Sequence, residues 1–310
     1  MAQNSVTVIV PAFNEAQGLH ALLDNLSGFN GLSDILVVDD GSSDRPGLPL
    51  ENQNFHFIFH PYNIGNGAAI KTGIRSAQGK ILVFMDGDGQ HDPVDIPRLT
   101  EYMDRYDMVV GARTRLQQAS QWRRFVNGIF NRLASYVTGF PVKDLTSGFR
   151  AMRAETAREL LPLLPNGYSW PTTSTLVLLR SGLSIKYVPI NVRPRQHGRS
   201  RIRPVRDGVR FFLIIMKICT LYSPFRIFLP VSGGMFLLGL INYAHTYFTA
   251  GRFTNMSALM FTASVIIFMM GLISEQVSQI SLLRQHVRQR GPDVGMGAAK
   301  REKETKAGGE

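Results

Sequence analysis

Short apolar runs that alternate with helix-length segments constrain the fold of this chain most strongly. The apolar runs are residues 6–10, 35–38, 55–59 and 81–85, with a weaker fifth at 108–110. Segments 15–26, 67–77 and 94–105 lie between them and have the length of helices. Continuous apolar strands that alternate with helices are typical of a parallel sheet covered on both faces. The sequence therefore predicts an α/β fold, in which ligands bind at the carboxyl ends of the strands.

Two further elements extend this pattern beyond the fifth strand. Residues 127–138 are predicted to form a helix, and residues 187–192 are predicted to form a strand. The predicted soluble domain therefore covers residues 1–200. Residues 201–227 mix arginine with phenylalanine, isoleucine and leucine. This mixture predicts amphipathic helices that lie along a membrane surface, with a solvated linker as the alternative.

Two later runs, 229–249 and 256–273, contain no aspartate, glutamate, lysine or arginine. A membrane-spanning helix needs about 20 mostly apolar residues, with a lower limit of about 17. The sequence therefore predicts a two-helix transmembrane hairpin within 228–283, with spans at about 229–249 and 256–276. The second helix is expected to continue as a polar helix to about residue 290. A buried helical hairpin of a soluble protein is the alternative.

The positive charge of the chain is concentrated beside these two runs. The formal charge is +11, and residues 193–226 carry nine basic residues against a single acid. Basic residues stay on the cytoplasmic side of a membrane, which predicts a multi-pass protein of the cell (inner) membrane with its soluble domain and both termini in the cytoplasm. Anionic lipid is a better partner for such a segment than nucleic acid, so no nucleic acid is expected. Residues 284–310 are expected to be a basic, disordered tail.

The stretch FMDGDGQHDP follows the fourth strand and carries three aspartates, Asp86, Asp88 and Asp92. Asp86, Asp88 and Gln90 supply the oxygen ligands that Mg²⁺ and Mn²⁺ prefer. The calcium-binding loop of an EF-hand requires glycine at its sixth position and glutamate at its twelfth. This stretch has neither residue there, so an EF-hand is excluded. Asp92 is expected to cap the next helix, with Pro93 at its first position. A plain surface turn is the other alternative for this stretch.

Polar clusters also follow the first three strands. Glu15 follows the first strand, and Asp39 and Asp40 end the second, where carboxylates can accept hydrogen bonds from a nucleobase or ribose hydroxyls. The stretch NIGNGAAIK follows the third strand and contains Asn63, Gly65 and Lys71. Its glycines match part of the dinucleotide fingerprint G-x-G-x-x-G, which is weak evidence without the third glycine. The cluster predicts a loop beside a nucleotide, with Lys71 near phosphate or, equally, in solvent.

Five motifs occur in one order: PAFNE, VVDDGSSD, NIGNGAAIKTG, MDGDGQHDP and TSGFRAM. In this order they resemble the family 2 glycosyltransferases with the GT-A fold. They are most similar to the polyprenol-phosphate sugar transferases, of which dolichyl-phosphate mannose synthase is the reference. The resemblance covers about residues 6–200, and the two C-terminal runs resemble the membrane-anchored members of that group. It is specific for the family and much less so for the sugar.

The resemblance implies a role for individual residues. Positions that would hold the nucleotide sugar are Pro11, Ala12, Glu15, Asp39, Asp40, Asn63, Gly65, Lys71 and Asp86. Asp86, Asp88 and Gln90 match the ligands of a Mg²⁺ or Mn²⁺ ion that joins the donor diphosphate to the protein. The catalytic positions would be Asp88, Asp144 and Arg113, with Asp144 expected to orient rather than to act as a strong base. Arg113, Arg195, Ser200 and Arg201 would bind the acceptor phosphate, although Arg201 replaces the lysine of the family element.

The expected function is therefore an inverting transfer of a hexose, mannose or glucose, from a nucleotide sugar such as GDP-mannose or UDP-glucose to a polyprenyl phosphate. Dolichyl and undecaprenyl phosphate are the expected acceptors. Alternatives are transfer to another lipid, a processive polysaccharide synthase, and a nucleotide-sugar sensor without catalysis. Whether the chain forms a homo-oligomer is left open, because small residues in the apolar runs can pack spans together.

Overall fold

The computed structural model describes residues 5–29, 31–44, 55–113, 121–192, 212–213, 216, 220 and 224–289, and of 121–126 and 279–289 it describes the backbone. The chain divides into two compact units, residues 1–218 and 219–310, and each is described by itself. The first holds a mixed sheet with helices, and the second holds two long apolar helices.

Within the described residues, the first unit has a seven-stranded sheet of order β3-β2-β1-β4-β6-β5-β7. The strands are β1 Val6–Ala12, β2 Asp34–Asp39, β3 Phe55–Phe59, β4 Ile81–Phe84, β5 Met108–Arg113, β6 Arg150–Arg153 and β7 Ile185–Ile190. β1 pairs in parallel with β2 and β4, and β3 pairs in parallel with β2. β6 runs antiparallel between β4 and β5, and β7 pairs in parallel with β5. The expected α/β sheet is confirmed.

The helices of the first unit are α1 Ala16–Ser27, α2 Asn66–Ser76, α3 Ile96–Thr100, α4 Gln121–Thr138, α5 Ala154–Leu160 and α6 Trp170–Arg180. α1 shows the pattern of a helix against a sheet, because its buried residues Leu19, Leu22, Leu23 and Leu26 recur every three or four positions. They pack with Val8 and Val10 of β1 in one apolar core. The core thereby holds the loops at the carboxyl ends of β1 and β4 in place.

The single helix predicted for residues 94–105 is wrong. The structure has a short 3₁₀ turn, Pro93–Asp95, followed by the five-residue helix α3. The predicted cap is confirmed, because Asp92 accepts a hydrogen bond from the N–H of Val94 at 3.2 Å and Pro93 follows it. The last predicted strand is shifted, since β7 ends at Ile190 and Val192 forms only an isolated bridge with His91.

The second unit contains helix α7, Phe225–Ala250, and helix α8, Asn255–Gln289. Both are long and apolar enough to cross a membrane, with candidate spans Phe225–Ala250 and Asn255–Ser278. The predicted polar continuation of the second helix is confirmed by the length of α8. Gly239 and Gly271 let the two helices approach closely, since a Cβ on Gly271 would lie 2.6 Å from Cβ of Phe228. Asn242 adds a hydrogen bond from Nδ2 to Ser257 Oγ at 2.9 Å.

Candidate active site

The polar clusters predicted from the sequence meet at one edge of the sheet. β1, β2 and β4 are parallel neighbours, so the loops that follow Ala12, Asp39 and Phe84 emerge side by side. An open cavity of about 230 Å³ lies there. Its lining residues are Asn14, Glu15, Ala16, Gln17, Gly18, Asp44 and Asp88. This is the edge at which open α/β sheets bind ligands.

The loops after β1 and β2 are joined by hydrogen bonds. Asn14 has a left-handed backbone, with φ of 51°, which is uncommon for a residue other than glycine. Its N–H donates to Ser42 Oγ at 2.9 Å, and its side-chain oxygen accepts from the N–H of Ser43 at 2.8 Å. The N–H of Ala16 donates to Asp44 at 3.2 Å. The two loops therefore place Glu15 as one unit.

Asp39 and Asp40 are both buried, and each accepts hydrogen bonds from a different loop. Asp39 accepts hydrogen bonds from the N–H and the hydroxyl of Ser42. Asp40 accepts from the N–H of Ile64 at 3.0 Å and the N–H of Gly65 at 2.7 Å. Asp40 therefore holds the loop after β3 by two hydrogen bonds. The expected contact of Asp40 with a nucleotide stays a prediction.

His60 extends the contacts of Asp40 and was missed by the sequence reasoning. Its Nδ1 lies 2.7 Å from Oδ1 of Asp40, and its Nε2 lies 2.9 Å from Oγ1 of Thr72. His60 follows β3 directly and Thr72 lies on α2, so the ring joins the sheet to the helix. Because a histidine among aromatic residues has no spacing that marks it, the sequence alone offered no indication of this contact.

The glycines of the loop after β3 allow close backbone packing. Gly65 has φ of 126°, and a Cβ on Gly67 would collide with the carbonyl oxygen of Pro165. The Nζ of Lys71 donates to the carbonyl of Leu164 at 3.2 Å. These residues pack against the segment before α6 in this structure. Their contacts with a nucleotide, including those of the exposed Asn63, stay predictions.

The loop after β4 carries the acidic residues. Asp86 packs against Gly148, where a Cβ would lie only 2.6 Å from Oδ2 of Asp86. On the other side, a Cβ on Gly18 would meet the carbonyl oxygen of Gly87 at 3.1 Å. The N–H of Gln90 donates to Oδ1 of Asp88 at 3.1 Å. Glycines on both sides thus bring the acidic loop between α1 and the TSGFR segment, residues 146–150.

Burial, together with the negative charges of Asp88 and Glu15, raises the pKa of Asp86 to about 7. Arg113 and Arg150 oppose this shift. Asp88 and Glu15 thus lie close enough to Asp86 for their charges to disfavour its ionisation, and the three carboxyl groups form a site of negative potential. Such a site attracts a cation.

Asp86, Asp88 and Gln90 fit a hard divalent cation by the chemistry of their oxygen donors. No group of three or more histidine, cysteine or acidic side chains in metal-binding geometry occurs among the described residues. The predicted set does not need one, because it comprises two carboxylates and an amide. Hard cations of this kind take their remaining ligands from water and substrate phosphates.

Arg113 and Asp144 form an ion pair with two hydrogen bonds. Nε of Arg113 donates to Oδ2 of Asp144 at 2.8 Å, and Nη2 donates to Oδ1 at 2.9 Å. Nη2 also donates to the hydroxyl of Thr146 at 2.6 Å. Burial alone would raise the pKa of Asp144, but the hydrogen bonds and charge of Arg113 lower it below its usual range. Asp144 therefore stays ionised, and its expected role as an orienting group rather than a base stays a prediction.

Arg150 is the largest fully buried side chain of the chain's described part and was not identified as a site residue from the sequence. Its guanidinium donates to the carbonyls of Ser147 and Pro171 and to the hydroxyl of Ser174. It also lies over the ring of Trp170, 5.1 Å from the ring centroid. Burial lowers the pKa of Arg150 to about 10, so the group remains a cation behind Asp86.

His91 is a second buried residue that the sequence reasoning did not assign to the site. Its ring stacks on Phe149 of the TSGFR segment at a centroid distance of 5.0 Å. Burial lowers its pKa to about 4, and the charge of Arg113 acts in the same direction. Its Nδ1 is buried without a hydrogen-bond partner in the described part of the chain. His91 is therefore neutral near pH 7.

The structure thus collects most of the predicted site residues at one edge of the sheet. Pro11 and Ala12 are the last two residues of β1, and Ala12 pairs with Asp39 at the end of β2. Glu15, Asp86 and Asp88 lie close enough for their charges to interact. Arg195, Ser200 and Arg201 lie outside the described residues.

Two family models match the chain. The model "Glycosyl transferase family 2" matches residues 7–161, and the model "GtrB C-terminal hairpin" matches residues 223–280. The solved glucosyl-3-phosphoglycerate synthase of Mycobacterium tuberculosis, in complex with Mn²⁺ and UDP, has a similar fold. The TM-score is 0.55 at 20% identity, over 70% of this chain and 81% of that one. The expected GT-A fold is thereby confirmed.

Two curated relatives match most of their own length. An uncharacterised protein of Methanocaldococcus jannaschii is 32% identical over 228 residues, which is 70% of this chain and 93% of the relative. The undecaprenyl-phosphate mannosyltransferase of Micrococcus luteus is 31% identical over 211 residues, 64% of this chain and 87% of the relative. This chain is therefore a glycosyltransferase that belongs to glycosyl transferase family 2.

Proposed function

We propose that this enzyme moves a hexose, mannose or glucose, from a nucleotide sugar to a polyprenyl phosphate at the cytoplasmic face of the cell membrane. The observation that carries the proposal is the position of the Arg113–Asp144 pair beside the acidic loop. The positive charge of Arg113 acts to lower the pKa of Asp86, so the guanidinium lies near the proposed cation site. The two would form one reaction centre. Such a pair of positive centres suits a reaction between two phosphate-bearing substrates.

The donor side of the proposal uses the loops after β1, β2 and β4. Pro11, Ala12, Glu15 and Asp39 would hold the nucleoside, and Asp86, Asp88 and Gln90 would hold Mg²⁺ or Mn²⁺. When bound, such a cation would act as a Lewis acid on the departing diphosphate. Asp86 lies close to Asp88 and Glu15, and their negative charges repel one another. A bound cation would relieve that repulsion.

The acceptor side requires charge neutralisation more than proton removal, because a phosphate monoester is already an anion near neutral pH. Arg113 would meet that phosphate, and Asp144 would hold the guanidinium plane in one orientation through two parallel bonds. The predicted contacts of Arg195, Ser200 and Arg201 with the same phosphate belong to this proposal. Attack by one phosphate oxygen in a single displacement inverts the anomeric carbon.

A lipid acceptor is supported by the similarity to relatives and by the second unit. Relatives named undecaprenyl-phosphate mannosyltransferase and undecaprenyl-phosphate 4-deoxy-4-formamido-L-arabinose transferase match most of their own length. Helices α7 and α8 would anchor the chain in the membrane as a hairpin, with both termini in the cytoplasm. The anchor would keep the enzyme at the surface where the acceptor head group lies.

The test is a transfer assay with the full-length protein in lipid nanodiscs. GDP-mannose and UDP-glucose are each combined with undecaprenyl or dolichyl phosphate, with Mg²⁺ or Mn²⁺ present, and the lipid product is identified by mass spectrometry. Glycolipid should form with at least one pair. Donor binding without turnover would instead indicate a sensor, and sugar on a different lipid would disprove the acceptor.

Asp88 and Asp92 provide a matched pair for the same assay. Asp88→Ala should abolish turnover, because it removes an expected cation ligand. Asp92→Asn should retain it, because Asp92 caps the turn before α3 and an asparagine oxygen can accept the same hydrogen bond. A normal rate in Asp88→Ala would rule out the cation site proposed here.

A further inference from the structure

The segment that carries Asp144 has no regular secondary structure. Residues 139–149 lie between α4 and β6 and belong to neither a helix nor a strand. Asp144 is nevertheless buried, with 4% of its surface exposed, whereas Pro141 and Lys143 beside it are exposed. Hydrogen bonds within a helix or a strand cannot fix the backbone of such a segment, so its position depends on side chains of neighbouring elements.

Helix α4 supplies polar side chains to this segment from one side. Oγ1 of Thr138 accepts from the N–H of Phe140 at 3.3 Å, and Oγ of Ser135 accepts from the N–H of Val142 at 2.9 Å. Asn131 contacts the segment one turn earlier on the helix. Positions 131, 135 and 138 recur every three or four residues, which places them on the same side of a helix. The chain that follows α4 therefore runs back along the helix.

Asn131 binds both peptide groups that flank the Cα of Asp144. Its Nδ2 donates to the carbonyl of Lys143 at 2.8 Å, and its Oδ1 accepts from the N–H of Leu145 at 3.1 Å. Because a peptide group is planar, two bound peptide groups restrict both φ and ψ of the residue between them. An amide side chain suits this place, since it carries a donor and an acceptor in one plane.

The backbone of Asp144 in turn determines where its carboxylate lies. The carboxylate accepts from Nε and Nη2 of Arg113 at 2.8 and 2.9 Å, and this two-bond geometry is specific in direction. It also accepts from the N–H groups of Thr146 and Ser147 at 3.2 and 3.1 Å. A shift of either peptide group beside Asp144 would move the carboxylate relative to both nitrogens of the guanidinium. The contacts thus connect α4 through Asp144 to Arg113.

We propose that Asn131 is a positioning residue for the transfer reaction, because it fixes the backbone of Asp144 and thereby the orientation of Arg113. Asn131 acts through Asp144 and is not itself a catalytic residue. The inference rests on the proposed function, in which Arg113 meets the acceptor phosphate. It does not depend on which sugar or which nucleotide the enzyme uses.

The first test compares three variants of the full-length protein in the nanodisc transfer assay. Asn131→Ala removes both contacts. Asn131→Asp keeps an acceptor for the N–H of Leu145 but has no donor for the carbonyl of Lys143. Asn25→Ala is the matched control, because Nδ2 of Asn25 donates to the carbonyl of Ala21 within its own helix at 2.8 Å.

Turnover should fall about 10- to 100-fold in both Asn131 variants, as for other small displacements of a reacting group, and should stay normal in Asn25→Ala. The affinity for Mn²⁺ and the KM for the donor should stay unchanged in all three. Equal turnover in Asn131→Ala and Asn25→Ala, or an equal loss of Mn²⁺ affinity and turnover, would overturn the inference alone. No transfer by the wild-type protein with any substrate pair would instead disprove the proposed function.

A double-mutant cycle separates positioning from general damage. Arg113→Lys already removes the two-bond fork, so the addition of Asn131→Ala to it should lower turnover by about twofold at most. Losses that multiply would mean that Asn131 does not act through Arg113, and this result would also overturn the proposal.

Hydrogen exchange measures the same linkage without turnover. The N–H groups of Thr146 and Ser147 are bound by the carboxylate of Asp144 rather than by Asn131. In Asn131→Ala and Asn131→Asp these two amides should exchange several-fold faster than in the wild type, because the backbone of Asp144 is released. Amides of α1 should keep their protection, which shows that the variant is folded. Unchanged exchange at both amides overturns the inference, whatever the transfer assay gives.

Discussion

Arg113 and Asp144 are joined by two nearly parallel hydrogen bonds of 2.8 and 2.9 Å, one from Nε and one from Nη2. The same carboxylate accepts the N–H groups of Arg113, Thr146 and Ser147. Asp144 thus places the end of β5 and the TSGFR segment relative to each other. The guanidinium consequently has a single orientation beside Asp86.

Arg113→Lys tests this orientation. Lysine keeps the charge but cannot form the two-bond fork, so we expect turnover to fall by about 10²-fold. The steady-state rate and the affinity for lipid phosphate should be measured separately, because only the rate should change strongly. Arg98→Lys is the control, since Arg98 pairs with Asp95 away from the reaction centre. An equal loss in both variants would contradict a specific role of Arg113.

Gly148→Ala tests the packing of the acidic loop. The new methyl group would lie 2.6 Å from Oδ2 of Asp86, so the carboxylate must move. We expect Mn²⁺ affinity to fall by about 10–100-fold, as for other changes that misplace a metal ligand. Titration with Mn²⁺ followed by electron paramagnetic resonance would measure it. Gly28→Ala, where a Cβ meets nothing within 4 Å, should bind Mn²⁺ normally.

Asp40→Asn tests the loop after β3. The amide cannot accept from both Ile64 and Gly65 while it faces His60, so the loop should loosen and the KM for the donor should rise about tenfold. Turnover at saturating donor should change little. Asp34→Asn disrupts a similar aspartate–histidine pair at the opposite end of β2 and should leave both constants unchanged. A fall in kcat without a change in KM would refute this assignment.

The pH dependence of apo-protein stability tests the crowding around Asp86. Its pKa is near 3.8 in an unfolded chain and is raised to about 7 in the fold. The folded state therefore binds more protons between these values, and stability should fall as pH rises through this window. Asp86 should lower the melting temperature at pH 8 relative to pH 5, a difference that thermal unfolding in the presence of a chelator measures and that His91, with its lowered pKa, opposes. Asp86→Asn should reduce this difference, whereas Asp92→Asn should retain it.

Gly271→Leu tests the contact between α7 and α8. A side chain there would collide with Phe228, because a Cβ alone would lie 2.6 Å from Cβ of Phe228. The hairpin should separate and unfold at a lower temperature in detergent. Gly234→Leu meets nothing within 4 Å at its Cβ and is the matched control. Similar melting of the two variants would show that close packing at Gly271 contributes little.

Strands and loops with strong local patterns could be predicted from the sequence. The four apolar runs became β1 to β4, and their polar ends met at one edge because parallel neighbours share an end. Strand β6 could not be predicted, since it has four residues with arginine at both ends. Helix α6 was also missed, because Trp170–Leu178 is buried all round and has no polar face to give a periodic pattern.

The residues of the site differ in the same way: those in a local motif could be predicted from the sequence, and those with distant partners could not. Asp86 and Asp88 could be predicted as cation ligands because their motif is local in the sequence. The roles of His60 and Arg150 depend on partners that are distant along the chain. His60 contacts Thr72 of α2, and Arg150 contacts the start of α6. Such contacts cannot be predicted from a local pattern, because nothing near these residues in the sequence indicates which distant residue is the partner.

Arg150 limits how this enzyme can change during evolution. Its guanidinium is held by neutral oxygens and an aromatic ring contributed by separate segments, rather than by one carboxylate. A substitution at Ser174 or Trp170 alone leaves a buried charge with fewer partners, and a substitution of Arg150 alone leaves their polar groups without a donor. A tolerated change at one of these positions therefore requires a compensating change at another.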